Sequence, residues 1–350
     1  MAKNIVGIDI GAETIRAVEV ADSEKVQPTI LRVAEVPVPK DATKHGEVLE
    51  ANTVATALRE LWSIGRFRTK DVILGMGNQR VLSRDLTVPM APLAQIRESL
   101  PFQVQDMLPV PVGDAILDFY PTSEAVGESG PVVHGLLVAA IKDAVLANVR
   151  AAELAGLNPV GVDLIPFALT RALAPRVAGA GTVAIVDCGG NTTSVVIAHD
   201  GVPKFVRIIP TGGDDVTKTI AAQLEIPLAE AESVKRHFGI VGRTHTPDDV
   251  RAVAVIKDTV GELLTSIRNT VTYYTNTRPD DVVRGIVLVG GGAALPGFRE
   301  GLGDVSGLPV ALGDPFVAAR IGRGITPEVL RERSASISVA WSLAVGGRAA

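Results

Sequence analysis

The chain has a single cysteine, Cys188, in 350 residues, which excludes an internal disulfide. Its five histidines are scattered, with no Cys or His partner at the spacing that a structural zinc requires. No run of Lys or Arg is long enough to track a phosphate backbone. With 34 basic against 39 acidic residues the net charge is -5, so nucleic acid is not an expected partner. Long apolar runs are also missing: Val132 to Ile141 and Ile337 to Val345 reach only about half of the roughly 20 residues that span a bilayer. Direct membrane insertion is therefore not expected. The N-terminal Met-Ala-Lys-Asn-Ile-Val-Gly-Ile-Asp lacks the charged-then-apolar layout of a signal peptide, and the expected location is the cytoplasm. Aromatic residues are few, at eight Phe, three Tyr and two Trp, so the core must come from Val, Ile, Leu and Ala.

What remains is a chain 47% hydrophobic and 21% charged, long enough for two domains or one fold of two lobes. An internal repeat organises it. Ile5 to Ile10 reads as a buried strand ending in Asp9-x-Gly11, with Thr14 opening a second strand. Val183 to Cys188 does the same around Asp187-x-Gly189, with Thr192 before the next strand. Both copies read Asp-x-Gly-x-x-Thr between β-rich runs. A third strand follows each time, at Thr29 to Val36 and Lys204 to Ile209, and then a helix, at Thr53 to Ser63 and Asp214 to Leu224. Two β-β-β-α units predict two similar α/β lobes, with the matched hairpins facing each other across a cleft.

A turn that carries glycine lets backbone N–H groups converge without a Cβ in the way, and such nests hold phosphate oxygens. An aspartate fixed at the preceding strand end suits a Mg²⁺ held through water, because that ion keeps several waters and takes one or two carboxylates beside phosphates. One such turn alone reads as a plain hairpin; two in equivalent places point to a phosphate site.

Two further segments belong to the argument. Gly285 to Val289 runs as a buried strand into Gly290-Gly291-Gly292, where backbone can approach a flat ligand closely. It follows an amphipathic helix with Val253, Ile256, Val260, Leu263, Leu264, Ile267, Val271 and Tyr274 on one stripe. Ile226 to Gly239 reads as a helix with Pro227 near its first turn, Glu230 and Glu232 early, Lys235, Arg236 and His237 late, and Gly239 as its stop. Glu232 and Lys235 share one side of it, and by themselves read as a surface ion pair.

The order Asp9-x-Gly11, Asp187-x-Gly189-Gly190, Glu232-x-x-Lys235 and Gly290-Gly291-Gly292 resembles the actin-like ATPases over nearly the whole chain. The resemblance implies a two-lobed actin-like α/β fold with ATP or ADP and Mg²⁺ in the cleft. It implies phosphate contacts from Gly11, Ala12, Glu13, Thr14 and Arg16, and from Gly189, Gly190, Asn191 and Thr192, with Asp9 and Asp187 on the metal. Arg16 stands where actin has a phosphate-contacting lysine. The Thr211-Gly212-Gly213-Asp214 turn is similar to an additional phosphate-proximal turn; Gly290, Gly291, Gly292 and Ala293 would lie against the adenosine, and Glu232 and Lys235 would contact adenine and ribose. The expected division is lobe I at 1–85 with 150–181 and 326–350, an inserted segment at 86–149, and lobe II at 182–325, its smaller part at 211–258.

Within that superfamily the tract Leu82 to Met90, then Leu100 to Pro109, Asp118-Phe119-Tyr120 and the ending Ile337 to Val345 resemble the PilM family of type IV pilus assembly proteins. FtsA is similar but carries a basic amphipathic tail, for which Arg348-Ala349-Ala350 are too few. The resemblance implies an ATP-binding scaffold or switch at the inner face of the cytoplasmic membrane. Its partner would be the N-terminal cytoplasmic peptide of PilN, and through it the PilN/PilO platform, with other motor or platform proteins and self-association as further possibilities. The peptide would dock beside the inserted segment, where apolar members of Leu100 to Leu108 either line the groove or pack a small core. Hydrolysis needs a residue that positions water at the γ-phosphate. In the superfamily this is Glu or Gln ahead of Pro-x-Ala; here Asp163-Leu164-Ile165-Pro166-Phe167-Ala168 puts Ile165 there, with Asp163 the nearest carboxylate. Slow or absent turnover is expected. An FtsA- or MreB-like filament former is the alternative, and a sugar-kinase-like phosphotransferase ranks below it.

Overall fold

A computed structural model describes residues 4–11, 13–39, 41–44, 46–128, 130–177, 179–323 and 325–346; the expected phosphate contact Ala12 lies outside the described residues. The chain opens with an antiparallel meander, β1 (Ile5–Ile10), β2 (Thr14–Ala21) and β3 (Thr29–Pro37). A short ladder, β4 (Thr43–Lys44) and β5 (Glu47–Val48), leads to α1 (Ala51–Gly65) and β6 (Asp71–Met76). Every residue of β1 is buried, because β2 and the parallel β6 flank it and α9 (Pro327–Ala344) lies across it. Gly7 makes that crossing possible: a Cβ there would stand 2.0 Å from the Ala340 carbonyl oxygen.

Next come β7 (Val81–Pro89), α2 (Leu93–Gln103), β8 (Ala115–Gly127) and β9 (Gly130–Ile141), which form a three-stranded antiparallel sheet in the order β7-β9-β8. Then α3 (Lys142–Leu154), β10 (Asn158–Leu164) and α4 (Ile165–Val177) lead into the second meander, β11 (Thr182–Cys188), β12 (Thr193–His199) and β13 (Val202–Ile209). It is followed by α5 (Gly213–Leu224), α6 (Leu228–Phe238), α7 (Pro247–Thr277), β14 (Val283–Val289), α8 (Phe298–Ser306), β15 (Val310–Leu312) and β16 (Arg320–Ile321).

The two large sheets run β10-β6-β1-β2-β3-β16 and β15-β14-β11-β12-β13. The first five strands of each correspond one to one, with the same antiparallel and parallel pairings. The repeat that the sequence predicts is thus a duplicated sheet. The α7 stripe from Val253 to Tyr274 is buried in the second lobe's core.

The inserted segment differs from the expected 86–149. Its sheet begins at Val81, and α3 packs on α1 and β10 of the first lobe as well as, through Ala144 and Val145, on the inserted sheet's Val81 and Leu136. Ala151 and Ala152 of α3 join the core of Leu58 and Leu61. One face of the inserted sheet has its own core, in which Leu100 and Val104 are fully buried against Phe119 and Leu137; of the apolar residues expected near a partner groove, Phe102 is the exposed one, at 81%. The other face leans on α4 and on the second lobe: the Tyr120 and Phe167 rings stand 4.9 Å apart, and Leu136 shares a core with Val196 and Val206. Lys204 Nζ donates to the Thr122 carbonyl at 3.0 Å, and Arg278 pairs with Asp85 at 2.7 Å. No helix among the described residues is long and apolar enough to cross a membrane.

Candidate functional site

The two Asp hairpins have the same backbone. In the first, Gly11 N–H donates to Thr14 O at 3.1 Å; in the second, Gly189 N–H donates to Thr192 O at 2.9 Å. A Cβ on either glycine would stand 2.9 or 3.0 Å from that same carbonyl, so the turn closes this tightly only without one. Across the strands, Asp9 is in register with Arg16 and Asp187 with Ser194. Both hairpins line one cleft of about 620 Å³ between the lobes. That volume suits a nucleotide-sized ligand.

The cleft is acidic. Burial raises Asp9 above the ordinary carboxylate range against the opposing pull of Arg16, whose Nη1 is 3.6 Å from Asp9 Oδ2. Burial, and then the negative charge of Asp9, push Asp187 up to about 7. Asp214 at the start of α5 is raised by burial and by Glu13 of the opposite hairpin, which tempers the cationic pull of Lys235 and Lys218. Among the described lining residues the cations are Arg16, Lys235 and Arg236. Each already holds a carboxylate: Arg16 stands 3.6 Å from both Asp9 and Glu35, while Lys235 and Arg236 both bind Glu232 at 2.6 Å. Partial burial works against ionisation of Glu232, but hydrogen bonds from Lys235, Thr217 and Arg236 hold it down to about 2.

The Glu232–Lys235 pair therefore differs from a surface ion pair: Lys235 is buried and ties α6 to α5. The start of α5 in turn grips the second hairpin, with Gly213 N–H donating to Gly189 O at 2.9 Å and Asp214 N–H to Gly190 O at 2.8 Å. Gly212 is enclosed there, its absent Cβ 2.4 Å from Gly190 O, and it is not among the lining residues.

The three consecutive glycines divide by role. Gly290 has φ +86°, and a Cβ on it would stand 2.4 Å from Asp187 Oδ1. A Cβ on Gly292 would stand 2.2 Å from the buried Cys188 Sγ. Gly291 has nothing within 4 Å of that position and opens onto the cleft. Ala293 does not line the cleft; Ala294 and Leu295 do.

Asp9, Gly11, Glu13, Thr14, Arg16, Asp187, Gly189, Gly190, Asn191, Thr192, Gly213, Glu232, Lys235, Gly290, Gly291 and Gly292 are thus brought to one cleft. Asp163 is not: its carboxylate pairs with Arg171, and its strand position leaves it outside the lining. Ile165 does line the cleft, seated over Gly75 and Gly77, where a Cβ would come within 2.9 Å of its side chain. Gly75, Gly77 and the buried Asn78 at the end of β6, and Ser336 and Ser338 of α9, also line the cleft, beyond the residues expected from the sequence. The Gly-x-Gly at 75–77 is the signal that could have pointed to the first three; the α9 serines carry none.

A family model described as type IV pilus assembly protein PilM matches residues 7–348. The cell division protein FtsA of Bacillus subtilis (strain 168) is 24% identical over 343 residues, which cover 86% of this chain and 76% of the relative. FtsA of Neisseria meningitidis serogroup B is 26% identical over 239 residues, covering 60% of this chain and 56% of its own length. Among solved structures, a PilM-PilN type IV pilus biogenesis complex matches with a TM-score of 0.85 at 27% identity, over 99% of both chains. MreB5 of Spiroplasma citri bound to AMPPNP matches with a TM-score of 0.56 at 14% identity, over 99% of this chain and 96% of that one. The fold is the actin-like one.

Proposed function

This chain belongs to the family of the type IV pilus assembly protein PilM, and from that premise we propose that it is an ATP-binding scaffold or switch of the pilus assembly platform at the inner membrane. The observation that carries the nucleotide part is the pair of matched hairpins, one from each lobe, lining a single cleft with a carboxylate on each, Asp9 buried and Asp187 half-buried.

The residues present fit Mg-ATP. Burial, and then like-charge repulsion from Asp9, raise Asp187, and a divalent cation beside both would relieve the repulsion. When bound, the cation supplies charge neutralisation at the phosphates, and Asp9 and Asp187 would hold it through water. Gly11 and Gly189 line the cleft where the phosphates would lie, and Gly291 leaves room for the nucleoside. A ligand that touches both lobes shifts their equilibrium only by its difference in affinity for the open and closed forms. Micromolar binding, about -8 kcal/mol in all, leaves ample free energy for that bias.

Turnover is slow or absent on this reading. Ile165 offers hydrocarbon where water would need positioning, and Asp163 is held by Arg171 outside the cleft. The proposed partner is the N-terminal peptide of PilN, supported by the likeness to the PilM-PilN complex. The test is a titration with fluorescent ATP with and without Mg²⁺, on the wild type and on Asp9→Ala and Asp187→Ala, beside a pull-down with the PilN peptide. Loss of Mg-dependent binding in folded variants is expected. Unchanged affinity in both variants would reject the site, and a turnover of several per minute that depends on Asp9 would reject the slow-turnover reading.

A further inference from the structure

The loop between α1 and β6 presents a row of cations. From Leu61 to Lys70 the chain carries three cations and no carboxylate, in a protein whose net charge is -5. Exposure alternates along its end: Arg66, Arg68 and Lys70 are exposed, while Phe67 and Thr69 are half-buried. The covered residues pin the loop. The Phe67 ring stands 4.8 Å from that of Trp62, and Trp62 Nε1 donates to Thr69 O at 3.2 Å. The Arg68 amide donates to the buried Glu19 carboxylate at 3.3 Å, which Arg32 also binds at 2.8 Å. Among the described residues no carboxylate pairs with the side chains of Arg66, Arg68 or Lys70. Two exposed aliphatic residues adjoin the row: Ile64 on the last turn of α1, 58% exposed, and Leu154 at the end of α3, whose carbonyl accepts from Arg59 at 3.2 Å. The borders carry both signs, Arg59 and Arg150 beside Glu60, Asp71 and Glu153.

We propose that this end of the first lobe rests on an anionic membrane surface, with Arg66, Arg68 and Lys70 meeting lipid phosphates, Ile64 and Leu154 at the headgroup boundary, and no segment crossing the bilayer. Basic side chains beside exposed aliphatic ones suit that boundary, and the cytoplasmic leaflet is anionic. The row lies away from the cleft. It precedes Asp71 at the start of β6, whereas Gly75, Gly77 and Asn78, at the far end of that strand, line the cleft. The strand's six residues separate the two by about 17 Å, so a docked lobe keeps the cleft open to solvent. The short row cannot track a nucleic acid backbone. The choice of a membrane over an acidic protein rests on the inner-membrane location proposed above.

The test is cosedimentation of the full chain, without nucleotide or PilN peptide, with phosphatidylcholine vesicles and with the same vesicles containing about 30% phosphatidylglycerol. Partition into the anionic vesicles should be about tenfold stronger or more at low salt, and should fall as ionic strength rises. Each cation beside an anionic leaflet is worth about fivefold, so Arg66→Asp with Arg68→Glu and Lys70→Glu should lose on the order of a hundredfold. Aspartate tolerates the left-handed backbone of Arg66, at φ +49°, and Glu19 keeps the bond that Arg68 supplies from its amide. Arg243→Glu with Lys257→Glu and Arg299→Glu makes the same charge change on exposed residues of the second lobe, and should stay within about threefold of wild type. Equal partition into neutral vesicles, or equal loss in the two triple variants, overturns the inference; so does capture of polyuridylate RNA or polyglutamate without vesicle binding. If the charge-reversed variant fails to fold in thermal melts, Arg66→Asn with Arg68→Gln and Lys70→Gln is read by the same comparison. No vesicle binding beside retained capture by the PilN peptide rejects this surface and leaves the platform reading standing; the opposite pair of results does the reverse.

Discussion

Asp9 and Asp187 stand at the ends of corresponding strands from opposite halves of the chain, and the charge of one adds to burial in raising the other to about 7. On the proposed reading, a cation placed beside both carboxylates would relieve that repulsion.

The first prediction concerns pH. In cation-free protein the raised value means that Asp187 is protonated below about 7 and that ionising it costs stability. The sign follows from linkage: between the unfolded value of about 4 and the folded value the native state binds more protons, so this contribution falls as pH rises. Asp187→Asn should therefore raise the urea midpoint at pH 8 and leave it nearly unchanged at pH 4. Because the cation competes with that proton, Mg-ATP affinity should fall about tenfold per unit below pH 7 and level off above it. A flat profile between pH 5 and 8 would contradict the assignment.

The second concerns metal removal. Since Arg16, Lys235 and Arg236 already hold carboxylates, free ATP meets a net acidic wall. Chelating Mg²⁺ should weaken ATP by about a hundredfold, ADP less, and adenosine hardly at all, in calorimetric titrations at fixed ionic strength.

The glycine loop supplies the third. Gly292→Ala forces a methyl against Cys188 Sγ and should cost about 1–3 kcal/mol in denaturant melts. Gly291→Ala should stay within about 0.5 kcal/mol of wild type. Gly291→Val should melt normally yet bind ADP about tenfold more weakly, because its branches enter space that the nucleoside needs.

The fourth concerns turnover. Asp163→Ala should leave the basal ATPase rate within about twofold of wild type, since the carboxylate faces Arg171 and not the cleft. A loss of rate matching that of Asp9→Ala, measured by phosphate release, would return Asp163 to the site.

Most of the hairpin site was legible because its signals are local. Asp-x-Gly-x-x-Thr encodes a strand end, a tight turn and a strand start within six positions, and the duplicated strand order followed from finding it twice. The local spacing of Glu232 and Lys235 reads only as a surface ion pair, their site role comes from the family resemblance, and the burial of Lys235 depends on α5 arriving over α6 with Gly213 and Thr217. Asn78 and Ser336 were missed since only the sheet pairing β6·β1 and the passage of α9 over β1 carry them to the cleft. Asp163, the carboxylate nearest Ile165 in sequence, lies outside the cleft lining for a comparable reason. Distance along the chain from Ile165 is small, yet Asp163 lies in a strand and pairs with Arg171, while Ile165 starts a helix and lines the cleft.

The inserted three-stranded sheet covers hydrophobic surface shared by Phe167, Val196 and Val206, so it is not a detachable appendage. Exchanging 81–141 for a relative's segment would place foreign side chains against α4 and β13. Whether such a chimera is accepted would turn on reproducing the shapes of Tyr120 and Leu136, far more than on where the splice points fall.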